Sequence, residues 1–134
     1  MPTVESKYLG ELRCESVHLQ SSSQLLTDAP SDNQGKGEAF SPTDLLATSL
    51  GTCILTTMGI AARTHGIAIE NATASVTKIM AADPRRVAEV IVELKFPSDT
   101  YSDKEKLILK KAALGCPVHI SLHPDLKKTI HFQW

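Results

Sequence analysis

The chain has 134 residues, of which 42% are hydrophobic and 22% charged, values typical of one soluble globular domain. Its 14 basic and 15 acidic side chains leave a formal net charge of -1, and only 4% of the residues are aromatic. Binding of nucleic acid or anionic lipid would need a basic field, and base stacking would need aromatic side chains. We therefore expect a single domain over residues 1-134, with neither nucleic acid nor a membrane among its partners.

The amino terminus and the cysteines indicate the cellular compartment. Charged residues interrupt the first 19 positions every few residues, so no secretory signal is predicted. The longest apolar stretch, near residues 45-62, contains five Ser or Thr residues, and we expect it to be too polar for a bilayer span. The cysteines Cys14, Cys53 and Cys116 are odd in number and widely spaced. This favours free thiols in a reducing cytoplasm over a disulfide framework.

Alternation of polar and apolar residues predicts short strands near the amino terminus. Residues 6-26 alternate in this way, with Gly10 and the serines at 21-23 at the turns, so a small antiparallel meander is expected. Pro, Ser, Asp, Asn and Gly then dominate residues 28-40, which is the composition of a loop.

Capping residues define the next element most clearly. Ser41 is placed as an N-cap, Pro42 suits the first helical position, and the Asp44 carboxylate can reach back to the cap amide. The pattern predicts a helix to residue 64 that stops at His65 and Gly66. Apolar side chains occupy almost every azimuth, so we expect this helix to be buried nearly all round, in the core of the molecule or of a dimer.

Strands and helices both follow in the second half of the chain. Residues 67-80 and 86-96 alternate with period two and predict a hairpin. A helix capped by Ser102, a shorter helix opened by Pro117 and a last strand at residues 129-133 complete the chain. Strands and helices are segregated rather than strictly alternating. The predicted class is therefore α+β, with mainly antiparallel sheets packed on a long central helix.

Metal binding is the first chemistry to consider. Cys116, His119 and His123 follow the spacing C-x2-H-x3-H, which places three candidate ligands along one side of a helical segment. No fourth ligand is evident nearby, and the pattern favours surface or cap roles for both histidines. No G-x-S-x-G elbow or glycine-rich phosphate loop is present, which disfavours hydrolase and nucleotide-binding classes. We expect no metal and no organic cofactor.

The cysteines carry the remaining chemistry. Cys53 lies inside the apolar helix, where a free cysteine is usually an inert packing residue, and Cys14 lies on an alternating strand segment. Cys116 lies between Gly115 and Pro117 at the junction of two helices, where a backbone bend can expose a side chain. These patterns alone leave both structural and reactive roles open.

Two cysteine-containing segments resemble a known family. Residues 41-53, SPTDLLATSLGTC, resemble the S-P-x-E-L-L-L-A-S-L-G-x-C helix of the OsmC/Ohr superfamily, named for osmotically inducible protein C and organic hydroperoxide resistance protein. Residues 116-121, CPVHIS, are similar to the C-P-V-S segment of that family's second cysteine. The order of elements is similar over nearly the full chain. The resemblance implies an OsmC-like fold, with antiparallel sheets around a long central helix in an intertwined homodimer.

The resemblance also implies an activity. The protein would be a thiol peroxidase of oxidative stress defence, in which Cys53 attacks an organic hydroperoxide and Cys116 resolves the sulfenic acid to a disulfide. A dithiol such as a dihydrolipoyl protein would reduce that disulfide. We expect the apolar neighbours of Cys53, namely Leu50, Ile54 and Met58, to favour organic hydroperoxides over hydrogen peroxide. A non-enzymatic OsmC-like protein that binds small molecules or thiol adducts is the alternative.

Activation of the Cys53 thiol needs a further group. Cys53 lies about three turns inside its helix, whereas the helix dipole acts mainly within the first turn. The family uses an arginine from the amino-terminal strands, which is held by a glutamate directly after the helix-start proline. The resemblance implies that Arg13 is this arginine. Thr43 occupies the glutamate position here, and the acid follows at Asp44. Asp44 therefore either orients Arg13 or only caps the helix.

Overall fold

The computed structural model describes all 134 residues, which form two compact units, residues 1-45 and 46-134. Each unit contains one three-stranded sheet, and the helices follow the first sheet in the chain, so the α+β class is confirmed. The single domain over residues 1-134 stays a prediction. The elements in chain order are β1 (Val4–Gly10), β2 (Arg13–His18), β3 (Gln24–Asp28), α1 (Pro42–His65), β4 (Thr73–Ala81), β5 (Arg86–Lys95), α2 (Asp103–Leu114), α3 (Pro117–Ser121) and β6 (Lys127–Gln133).

The first unit is the predicted antiparallel meander, in the order β1-β2-β3. The loop that follows β3 folds back on the strand ends, because the Asp28 amide donates to the Phe40 carbonyl at 3.0 Å and the Ala29 amide donates to the Leu12 carbonyl at 3.0 Å. At Gly35 a Cβ atom would lie 1.7 Å from the Ala29 carbonyl oxygen, so only glycine fits. These contacts fix the end of β3, where Asp28 lies.

Helix α1 begins and ends where its capping residues predict. The Asp44 amide donates to the Ser41 hydroxyl at 3.0 Å, and the Ser41 amide donates to the Asp44 carboxylate at 3.0 Å, which is a reciprocal capping box. At the other end Gly66 takes a φ of +67°, the left-handed conformation that glycine adopts without a side-chain penalty.

Within the single chain, α1 is buried along one side only. Its opposite side exposes Thr52, Thr56 and Ile60, and Ile60 is 64% exposed. By length and composition α1 is also apolar enough to cross a bilayer, contrary to the sequence-based expectation, but the core helix of a soluble protein passes the same test. The side chains and glycine buried along its inner side are Ala47, Leu50, Gly51, Ile54, Met58 and Ala62.

The second unit packs α1 against its own sheet. Strand β5 lies in the middle of the sheet, antiparallel to β4 and parallel to β6, so one strand pair departs from the mainly antiparallel pattern. A Cβ atom at Gly51 would lie 2.6 Å from Val76 Cγ2 on β4, so the helix and strand approach closely there. The predicted strand at 67-80 starts only at Thr73, because Asn71 has a φ of +73° and a turn occupies residues 69-72.

Candidate functional site

Two of the three cysteines meet in the second unit. Cys53 lies about three turns into α1, and Cys116 is the N-cap residue of α3. The two thiols interact with each other: Cys116 favours the thiolate form of Cys53, and Cys53 favours the protonated form of Cys116. Both cysteines are free thiols in the structure, Cys53 half-buried and Cys116 fully buried. The helix cysteine is therefore the more accessible member of a thiol pair.

The surroundings of the pair shift the two pKa values in opposite directions. Burial raises the pKa of the Cys53 thiol, but hydrogen bonding from the Val118 amide, the Cys116 thiol and the Thr57 hydroxyl outweighs burial and leaves this pKa below its ordinary value. Burial raises the pKa of the Cys116 thiol, and its neighbour Cys53 raises it further. As the pH rises, Cys53 therefore loses its proton first while Cys116 remains a thiol.

Local structure explains why Cys116 is held in place. Its sulfur accepts a hydrogen bond from the His119 amide at 3.2 Å, so the cysteine caps α3 in the way that serine caps other helices. Pro117 occupies the first helical position, where its missing amide proton is not needed. The start of α3 thus holds the Cys116 thiol beside Cys53.

The spacing Cys116, His119, His123 does not assemble a metal site. The structure contains no group of three or more His, Cys, Asp or Glu side chains that could hold a metal ion. His123 Nδ1 instead accepts a hydrogen bond from the Asp125 amide at 3.0 Å. Burial, and then the charge of Lys128, lower the pKa of the His119 imidazole.

Arg13 lies in the first unit and is held by a carboxylate that the sequence analysis missed. Its Nε and a terminal nitrogen donate to the two carboxylate oxygens of Asp28 at 2.7 and 2.8 Å, a bidentate pair. Asp28 is only 1% exposed and also accepts from the Glu38 amide at 3.1 Å. The Arg13 hydrogen bonds hold the pKa of Asp28 below its ordinary value, against the opposing effect of burial. Arg13 is thus fixed in one orientation by a buried acid.

The structure also shows the surroundings of the other two residues singled out in the sequence, Asp44 and Cys14. Asp44 caps α1 through Ser41, which is one of the two roles left open for it. Cys14 is half-buried on β2, where its main-chain neighbours across the sheet are Tyr8 and Thr27.

The three apolar residues predicted to line a substrate site at Cys53 do not line it. Leu50, Ile54 and Met58 are all 0% exposed and belong to the hydrophobic core, so they cannot line a site open to a substrate. Their helical positions direct them to the inner side of α1, whereas Cys53 lies on its flank. A cleft of about 490 Å³ does lie beside α1, but its lining includes neither Cys53 nor Cys116.

Sequence reasoning also missed Thr57 beside the cysteine pair. Its hydroxyl oxygen lies 3.9 Å from Cys53 Sγ, one helical turn further on. The available signal was its spacing, since residues four apart share one helix face. The signal for Asp28 was strand pairing, because a meander that turns near residue 20 places Asp28 directly opposite Arg13.

Comparison with known proteins identifies the family. The OsmC-like protein family matches residues 35–131. A crystal structure from Psychrobacter arcticus, given a provisional role as an osmotic stress induced and detoxification response protein, is 53% identical, with a TM-score of 0.95 over 99% of this chain and 96% of the other. No curated protein sequence matches the chain. The chain belongs to the OsmC-like family, within the OsmC/Ohr superfamily.

More distant structures share the fold. An organic hydroperoxide resistance protein OsmC from Legionella pneumophila is 16% identical, with a TM-score of 0.77 over 100% of this chain and 98% of the other. An organic hydroperoxide resistance protein from Elizabethkingia anophelis is 13% identical, with a TM-score of 0.76 over 99% and 96%. At these identities the likeness extends to the fold alone, and it confirms the predicted OsmC-like fold.

Proposed function

We propose that this protein is a thiol peroxidase that reduces organic hydroperoxides in oxidative stress defence, with Cys53 as the peroxidatic and Cys116 as the resolving residue. The observation that carries the proposal is the contact between the two thiols, with the pKa lowered at Cys53 and raised at Cys116. A thiolate is the nucleophile, so the lowered pKa assigns the first attack to Cys53, and the neighbouring Cys116 sulfur is in place for the second step.

The reaction balances with these two residues and the peroxide. The Cys53 thiolate attacks the outer oxygen of the hydroperoxide, the O–O bond breaks, and the leaving alkoxide takes up a proton to give an alcohol. The sulfur is now a sulfenic acid. The Cys116 sulfur attacks it, an S–S bond forms, and water leaves with the Cys116 proton. A dithiol, such as a dihydrolipoyl protein in the cytoplasm, returns both cysteines to thiols by exchange.

The names of the relatives support the substrate class. Two proteins with this fold are called organic hydroperoxide resistance proteins, and the 53% identical protein has a provisional detoxification role. Arg13, held by Asp28, is proposed as the cation that assists the Cys53 thiolate. No metal or organic cofactor takes part in this scheme.

Peptide mapping of the oxidised protein tests the cysteine assignment. Treatment of reduced protein with one equivalent of cumene hydroperoxide is expected to link Cys53 to Cys116 and leave Cys14 as a free thiol. The bond should form within one chain, because the two thiols already meet there. A bond that includes Cys14 would refute the assignment. Protein that retains three thiols while it binds the compound would favour the non-enzymatic binding protein instead.

We also propose that the chain works as a homodimer. In the single chain, several large apolar side chains are more than 40% exposed, among them Tyr8 at 63%, Phe40 at 52% and Ile60 at 64%. Apolar side chains that are exposed on a single chain become buried where a second chain covers them, which supports the proposal. Light scattering at micromolar concentration is expected to give twice the 14.5 kDa chain mass. A particle of 14.5 kDa would contradict the proposal.

A further inference from the structure

Hydroxyl side chains along α1 differ in their hydrogen-bond partners. Inside a helix, Ser and Thr hydroxyls commonly donate to a main-chain carbonyl three or four residues earlier. Ser49, Thr52 and Thr64 do so, with distances of 2.7, 2.9 and 3.1 Å. Thr57 does not: its hydroxyl oxygen lies 3.9 Å from Cys53 Sγ, and this is its hydrogen-bond contact.

We propose that Thr57 is a further catalytic residue, whose hydroxyl donates a hydrogen bond to the Cys53 thiolate. This inference rests on the proposed function, since it adds a group to the same site. Thr57 follows Cys53 by four residues, so both side chains lie on one helix face. The hydroxyl keeps its proton throughout. The negative charge that it stabilises leaves the sulfur when the S–O bond forms and the O–O bond breaks.

The position of Thr57 argues against a packing role. The side chain is half-buried, and a hydroxyl withdrawn from water is unfavourable unless it has a hydrogen-bond partner. Valine has the same shape and would suit a purely packing position. The sulfur is the partner that the structure provides, and a thiolate accepts a hydrogen bond more strongly than a thiol does.

The expected effect on the reaction is moderate. Loss of the hydroxyl leaves less thiolate at neutral pH, because the charged form loses a donor. A thiolate of higher pKa is, however, intrinsically more nucleophilic, with a Brønsted slope of about 0.4–0.5, so part of the loss is recovered. We therefore expect Thr57→Val to slow the first oxidation of Cys53 at pH 7 by about threefold.

The test measures Cys53 alone, without relying on turnover. Reduced protein is alkylated with iodoacetamide from pH 5 to pH 10, and the Cys53-containing peptide is quantified by mass spectrometry. Thr57→Val is expected to move the midpoint for Cys53 alkylation to higher pH, and Thr57→Ser is expected to restore it. The matched control is Thr64→Val, which makes the same change in the same helix at a hydroxyl bonded to the main chain. Circular dichroism checks that each variant is folded.

The outcomes separate this inference from the proposed function. A Thr57→Val profile that coincides with wild type, or a Thr64→Val profile that shifts equally, would overturn the role of Thr57. Failure of Thr57→Ser to restore the wild-type profile would overturn it too, because the hydroxyl would then not be the active group. Wild-type protein that alkylates normally at Cys53 but consumes no cumene hydroperoxide would instead refute the peroxidase proposal.

Discussion

Replacement of Cys53 by serine is expected to reduce the consumption of cumene hydroperoxide to the uncatalysed background, a loss of about a thousandfold or more. A serine hydroxyl stays protonated at neutral pH and is a far weaker nucleophile than a thiolate. The measurement is steady-state hydroperoxide loss with dithiothreitol or a dihydrolipoyl protein as reductant. Cys14→Ser is the matched control and should retain the wild-type rate. Equal rates for wild type and Cys53→Ser would refute the peroxidase proposal.

Replacement of Cys116 by serine is expected to have a different kinetic result. The first oxidation needs only the Cys53 thiolate, so one equivalent of hydroperoxide per chain should still be reduced. The reaction then stops at the sulfenic acid because no second thiol can form the disulfide. Sustained turnover by this variant at the wild-type rate would contradict the resolving role of Cys116.

Replacement of Arg13 by alanine is expected to affect both stability and rate. The substitution removes both hydrogen bonds from Arg13 to the Asp28 carboxylate, which is 1% exposed, and a buried charge without its partner is strongly unfavourable. If Arg13 assists the Cys53 thiolate, the first oxidation should also slow by about tenfold. Arg63→Ala, at an exposed arginine, is the control for loss of one positive charge.

The stability effect of Arg13→Ala has a defined pH dependence. In wild type the pKa of Asp28 is held low by Arg13, so its stabilising contribution is present above about pH 3.9 and is lost as the pH falls through the lower folded value. Without Arg13, burial raises the pKa of Asp28. Near pH 4 the Asp28 carboxyl is then protonated, and the variant no longer contains a buried charge without a partner. The gap between the two urea midpoints should therefore narrow from pH 7 to pH 4. A constant gap would show that the Asp28 charge is not the cause.

Those elements with strong terminal signals could be predicted from the sequence. Ser41 and Gly66 place the ends of α1, and Ser102 places the start of α2, because caps satisfy main-chain groups locally. The predicted start of a strand at residue 67 is wrong because of the backbone conformation of one residue. Asn71 takes a left-handed conformation that an alternating pattern does not reveal, so the strand begins only at Thr73.

The site was predictable only where the family resemblance supplied it. The contact between Cys53 and Cys116 joins residues more than sixty positions apart, and their spacing carries no information on tertiary proximity. Asp28 was missed because a partner across a sheet depends on register, which a shift of one residue would change entirely. Ile54 was expected beside Cys53 in the site, and this was wrong. Sequence neighbours of a helical cysteine point to other faces of the helix, and Ile54 lies in the core.

Trapping of the sulfenic acid tests the central claim most directly. Reduced Cys116→Ser protein is treated with one equivalent of cumene hydroperoxide in the presence of dimedone, and the modified peptides are mapped by mass spectrometry. The proposed mechanism predicts one dimedone adduct per chain, located on Cys53, with Cys14 unmodified. An unmodified Cys53 after the hydroperoxide has been consumed, or an adduct on Cys14 instead, would contradict it.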